Sequence, residues 1–182
     1  MRHNKYIPSK DIHLTEYDDI IDVRSSSEFA EDHLPGSINL PVLSNSERDE
    51  VGTIYKQINP FEARRRGAAL VSRNISKHLE EYFFDKGMDY TPLIYCWRGG
   101  ERSRSIATVL ESVGWKPTLL EGGYQAYRKH IVESFDKILE NNFHFKIIAG
   151  LTGSGKTKLL KHLKKHDMQT IDLEGLAKHR GS

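Results

Sequence analysis

Residues 93–103 read Leu93-Ile94-Tyr95-Cys96-Trp97-Arg98-Gly99-Gly100-Glu101-Arg102-Ser103. A short apolar run ends on a cysteine, turns through two glycines and enters a polar helical start. Such a run, bounded by turn residues, predicts a buried strand. The helix expected over 103–113 sets Ile106, Val109, Leu110 and Val113 on one face. Gly114 stands where a left-handed C-cap belongs, and Pro117 lies just beyond it. A strand passing through a tight loop into a helix is half of a parallel crossover, so this stretch predicts a parallel α/β sheet.

The pattern repeats on both sides. Upstream, residues 19–23 (DIIDV) form a short apolar strand, followed by a turn at 25–27 and one helical turn at 28–30. Residues 37–40 give a second short strand, ended by Pro41. The polar stretch 44–58 is helix-compatible, and a longer helix opens at Asn59-Pro60 and runs to about Phe84, closed by Gly87. Downstream, residues 118–121 form a strand stopped by Gly122-Gly123. A helix from Tyr124 to about Asn141 follows, with Tyr127, Ile131, Phe135 and Ile138 at helical spacing. Asn141-Asn142 reads as a boundary between a domain over 1–140 and a second, incomplete one over 143–182. The second begins with an expected strand at 145–149, a glycine loop and a helix over 156–165, with one more strand expected at 169–173.

Composition bounds the rest. The 182 residues are 37% hydrophobic and 29% charged, the balance of a globular chain with one full core and part of another. No run of about 18 apolar residues marks a membrane span, and the polar N-terminus lacks a signal core. With one cysteine no disulfide framework exists within the chain, and the cytoplasm is the expected compartment. The net charge of +2 is uneven: residues 143–182 carry +5 and residues 1–142 carry −3. The basic part suits an anionic ligand, or simply a solvated helix face.

Cys96 is the only sulfur nucleophile available. A free cysteine is commonly an inert small hydrophobe. Here it ends a parallel strand, the edge at which ligands bind in such sheets. The loop Trp97, Arg98, Gly99, Gly100, Glu101, Arg102 and Ser103 aims backbone N–H groups and a helix N-terminus inward, and two arginines add charge. A thiolate and an anionic atom are both favoured there. Asp22, Arg24 and His33 read as hydrogen-bonded scaffold rather than catalysts.

Residues 150–157 (GLTGSGKT) match G-x-x-x-x-G-K-[ST] between an expected strand and a helix. Gly150, Gly153 and Gly155 let N–H groups converge on phosphate oxygens, with Ser154 inside the turn. Lys156 reaches terminal phosphates, and the Thr157 hydroxyl is a possible Mg²⁺ ligand. Asp172 is a weak candidate for a second Mg²⁺ ligand.

Residues 22–24 (DVR), 28–29 (EF), 33–41 (HLPGSINLP), the Cys96 loop and 120–124 (LEGGY) together resemble a rhodanese domain. That family implies a loop cysteine carrying a chalcogen. Cys96 to Arg102 is seven residues, one longer than the common sulfurtransferase loop, and resembles the loop of cell-cycle-type phosphatases that share the fold. Residues 51–57 (VGTIYKQ), 60–64 (PFEAR), 67–71 (GAALV), 95–100 (YCWRGG) and 150–157 resemble the tRNA 2-selenouridine synthase family. The implied fold is a rhodanese-like parallel sheet flanked by helices, followed by the start of a P-loop NTPase-like domain.

The resemblance implies a transferase that replaces sulfur by selenium in wobble 2-thiouridine of tRNA through an S-geranyl intermediate. Selenophosphate and geranyl diphosphate are the implied co-substrates, with no tightly bound cofactor. tRNA is the implied partner, and selenophosphate synthetase a further one. Cys96 falls on the cysteine of the selenium step, and the phosphate loop on the diphosphate. The family's P-loop domain continues past residue 182, so the sequence reads as a truncated form. A rhodanese-type sulfurtransferase, a Cys-dependent phosphatase and a non-enzymatic binding piece are the alternatives. Trp97 suits stacking on a base or packing, and Arg64-Arg65-Arg66 suits phosphate or solvent.

Overall fold

The computed structural model describes residues 5–140, 144–151 and 153–177. Contacts divide the chain into two units, Met1–Ile138 and Leu139–Ser182.

The first unit is built on five parallel strands: β1 (Lys5–Ile7), β2 (Ile20–Asp22), β3 (Ile38–Asn39), β4 (Leu93–Tyr95) and β5 (Thr118–Leu120). Their order across the sheet is β1-β5-β4-β2-β3. The register pairs Ile21 with Ile94 and Ile94 with Leu119. Five helices accompany them: α1 (Ser26–Glu31), α2 (Asn45–Gln57), α3 (Pro60–Glu81), α4 (Glu101–Val113) and α5 (Gly123–Glu140).

Alternation along the strands supplies two cores. Ile21, Val23, Ile94, Cys96 and Leu119 face one side, against Leu70, Val71 and Ile75 of α3 and Ile106, Ala107 and Leu110 of α4. Ile20, Leu93, Tyr95 and Leu120 face the other side, with Leu34, Tyr124 and Tyr127. Both faces of the sheet are therefore covered, as a parallel sheet requires.

The helix ends follow local chemistry. The Ser25 and Ser44 capping boxes, closed by Glu28 and Glu47, start α1 and α2. Asn59 caps α3 with Pro60 in its first turn. Gly114 (φ 115°) ends α4 in the left-handed region, as its sequence predicts.

Several expectations change. β1 is not anticipated, because its lysine and tyrosine are exposed and no alternation marks it; it forms by pairing with β5 at the sheet edge. Val113 lies exposed at the end of α4, while Ala107 takes a core place. Among the described side chains of α5, those at its start pack. Ile131 and Phe135 are exposed, because an 18-residue helix outruns strands of three residues.

In the second unit the described residues form α6 (Lys156–Lys165) and α7 (Leu173–Leu176). The strands expected at 145–149 and 169–173 are not formed among them, and none of the described residues of 144–177 is buried. Ile147 and Ile171 stay exposed, since a strand needs a partner for its backbone groups. The expected boundary at Asn141-Asn142 lies outside the described residues.

Candidate active site

The sheet order carries the first argument. From β2 the chain moves to β3 on one side, then returns to β4 on the other side of β2. This reversal opens a crevice at the carboxyl ends of β2 and β4, where ligands bind in open parallel sheets. Cys96 follows β4 and residues 23–28 follow β2, so both arrive at the crevice.

Cys96 is nearly fully buried, 3% exposed. Its Sγ accepts the Gly100 N–H at 3.2 Å and lies 3.3 Å from the Ser103 hydroxyl. Ser103 is itself buried on α4 and also donates to the Gly100 carbonyl. The loop thus wraps the sulfur with a backbone donor and a hydroxyl at the start of a 13-residue helix, a setting that favours a negatively charged group brought beside it.

The loop is clamped from behind by the turn after β5. Tyr124 N–H donates to the Cys96 carbonyl at 2.9 Å, and Gln125 N–H donates to the Trp97 carbonyl at 3.0 Å. The approach demands glycine. A Cβ on Gly123 (φ 61°) would stand 2.2 Å from the Cys96 carbonyl oxygen. Gly99 (φ 66°) meets the Leu120 carbonyl in the same packing.

The two loop arginines, read from the sequence as added charge near the sulfur, both have side-chain partners. Arg102 forms a two-pronged pair with Glu28, at 2.8 and 3.3 Å. Glu28 also accepts from Ser25 N–H at 3.0 Å and pairs with Arg48 of α2 at 3.2 Å. Burial raises the Glu28 pKa, but the Arg102 hydrogen bond and charge outweigh it and bring it to about 2. Arg98 is exposed and donates to the Gln125 side chain at 3.1 Å. Glu101 is exposed and within 3.8 Å of Arg104.

Beneath the loop lies a buried ion pair. Arg24 and Asp22 are 1% and 0% exposed and meet at 2.6 Å. Arg24 also donates to the Asp32 carbonyl, and Asn39 ties the Asp22 and Arg24 carbonyls together. Asp22 and Arg24 are thus both buried and hydrogen-bonded. The Arg24 guanidinium sits 4.1 Å from the Tyr124 ring and 5.8 Å from Trp97. Trp97 leans on Tyr124 at 5.5 Å and keeps 38% of its surface open beside Cys96. Tyr124 also donates to Asp32; burial first, and then this carboxylate, raises its pKa to about 12. His33 is exposed, stacked on Phe29 and bonded to the Phe29 carbonyl.

Residues 9–130 match the family model described as a rhodanese-like domain. The chain belongs to the rhodanese-like family. Residues 143–182 match the start of a second description, the tRNA 2-selenouridine synthase AAA domain. This rhodanese-like chain is 37% identical to a tRNA 2-selenouridine synthase of Nitrosomonas europaea and 40% identical to one of a Sulfurovum species. Each alignment covers 90% of the chain, but the chain spans only 42% and 44% of those relatives' lengths. Among solved structures, it resembles the N-terminal domain of a Clostridium difficile 630 protein whose name suggests ATP/GTP binding. The TM-score is 0.59 at 38% identity, covering 70% of this chain and 99% of that one.

The second unit holds the glycine loop. Gly153 (φ 80°) and Gly155 (φ 85°) hold left-handed turns, and Gly155 caps α6. A Cβ on Gly150 would press on the Ser154 hydroxyl at 2.9 Å. Lys156 Nζ donates to the Gly150 and Leu151 carbonyls at 2.8 and 2.9 Å. It therefore curls over the loop it is expected to serve. Thr152 lies outside the described residues. Thr157 is exposed in the first turn of α6. Asp172 accepts the Gly175 N–H as the cap of α7, and no cluster of metal-ligating residues occurs among the described residues.

Glu28, Gly123 and Tyr124 are neighbours of the Cys96 loop that sequence reasoning does not single out as site residues. The sequence holds no signal for the first, whose partner Arg102 is 74 positions away; for the others, the signal is the Gly-Gly-Tyr turn after a strand.

Proposed function

We propose that this chain carries the selenium-transfer centre of a tRNA-modifying enzyme that replaces sulfur by selenium in wobble 2-thiouridine. The single observation that carries the reading is the buried Cys96 Sγ, held by the Gly100 N–H and the Ser103 hydroxyl at the crevice mouth. The length of the seven-residue loop suits a tetrahedral donor such as selenophosphate, and the α4 N-terminus favours its negative charge. In the exchange, the selenium of selenophosphate adds to C2 of the S-geranylated base, the geranyl thiolate leaves and takes up a proton, and water cleaves the P–Se bond to release phosphate. Sulfur and selenium keep their oxidation states, so no oxidant is required. Cys96 holds the donor in place for this step, and Trp97 offers its open face to the base.

The glycine loop of residues 150–157 supports a diphosphate role, with geranyl diphosphate as its ligand. Displacing the Lys156 ammonium from two loop carbonyls onto a diphosphate exchanges dipole contacts for charge contacts. Selenophosphate synthetase is the matching donor source, and the cytoplasm the matching compartment. A phosphatase reading rests on the same loop length, yet the second-unit match and the glycine loop favour the transferase.

Nucleosides of tRNA from cells lacking the gene test this. The expected result is loss of 2-selenouridine, with the 2-thiouridine precursor retained. Unchanged 2-selenouridine would overturn the reading.

A further inference from the structure

The helical hairpin of α2 and α3 carries more surface than its packing explains. α2 buries no residue completely. At the tip, Tyr55, Ile58 and Phe61 are 60%, 66% and 63% exposed within seven positions. Three large apolar side chains so open at one bend contribute little to the core. Basic residues surround them: Lys56, Arg64, Arg65 and Arg66 against Glu62 alone over residues 54–66. Arg64 and Arg65 lie three and four positions after Phe61 and share its face of α3. Arg65 meets Glu62 at 2.6 Å, but its side chain is 70% exposed, so that pair is weak and exchangeable. Arg66 is held by Glu50 at 2.6 Å, and neither Lys56 nor Arg64 has an ion-pair partner among the described residues.

The other end of α2 touches the site. Asn45 accepts from Ser27 N–H and hydroxyl at 3.0 and 2.8 Å, and Arg48 pairs with Glu28, the partner of Arg102. Asn74 and Arg66 of α3 fix α2 through Glu47 and Glu50. A 13-residue helix spans about 20 Å, so α2 runs as a braced arm from the Cys96 crevice to the aromatic and basic tip. That length is close to the width of an RNA stem.

We infer that the α2–α3 tip is an RNA-docking surface, with Tyr55 and Phe61 stacking on unpaired bases and Lys56, Arg64 and Arg65 contacting phosphates. Every base has a face for stacking, and arginine next to an aromatic ring suits both base and phosphate. The inference rests on the tRNA reading above. It adds where the RNA is gripped when one of its bases reaches Cys96.

The experiment measures binding of a synthetic anticodon stem-loop RNA to the 182-residue chain across a salt series. Circular dichroism and sedimentation are recorded for each variant. The Tyr55→Ala/Phe61→Ala double variant is expected to bind at least about thirtyfold more weakly. Arg64→Gln is expected to reduce the salt slope by about 1. Both should keep native helicity, since these side chains are exposed. Variants that bind as the parent does, while the parent binds well, overturn the docking surface alone. A change of sedimentation with RNA affinity untouched overturns it in favour of a protein contact. A parent chain that does not bind the RNA removes the tRNA reading, and this surface with it.

Discussion

Glu28 holds the site together from a distance. It caps α1, neutralises Arg102 from the cysteine loop and receives Arg48 from α2. Its lowered pKa makes this arrangement acid-sensitive. A carboxylate depressed in the folded state stabilises fully above its unfolded value, near 4.5 here, and loses that contribution as pH falls toward about 2. Denaturant unfolding over that window should show the parent losing about 2 kcal/mol more than Glu28→Gln. Equal losses would mean the pair is not stabilising. The Cys96 position is legible from sequence because strand, glycines and helix start are contiguous. The Glu28 contact is not, since it joins residues 74 positions apart and exists only once β2 and β4 lie side by side.

At the scale of elements, the turn after β5 shapes the reactive loop as much as the loop's own residues do. Gly123→Ala would drive a methyl into the Cys96 carbonyl at a positive φ, and neither backbone can yield without losing the two hydrogen bonds that clamp the loop. A loss of at least about 3 kcal/mol in chemical denaturation is expected. Gly52 provides the contrast. It lies inside α2, and an added Cβ there would meet nothing within 4 Å, so Gly52→Ala should stabilise by about 0.8 kcal/mol. The helices are readable from caps and periodicity, and the central strands from apolar runs. β1 escapes because two of its three residues are exposed and its pairing with β5 spans most of the domain. The strand expected at 145–149 fails for the opposite reason: its apolar pattern is clear, but no neighbouring strand accepts it among the described residues.

For the whole molecule, the proposed function assigns one chemistry to each of two units. The first unit gives a parallel sheet covered on both faces, with a buried cysteine at its switch point. The second gives a phosphate-type glycine loop on a basic helix, without a buried core among its described residues. The central claim divides the labour accordingly: Cys96 serves selenium transfer, and the glycine loop serves the diphosphate. Cys96→Ala is suited to testing it. The change removes only Sγ, and the backbone hydrogen bonds from Tyr124 and Gln125 that clamp the loop remain. The deciding measurement is mass spectrometry of tRNA nucleosides from cells whose only copy of the gene carries Cys96→Ala. S-geranyl-2-thiouridine should persist while 2-selenouridine disappears. Selenouridine at the parent level, or loss of both nucleosides together, would contradict it.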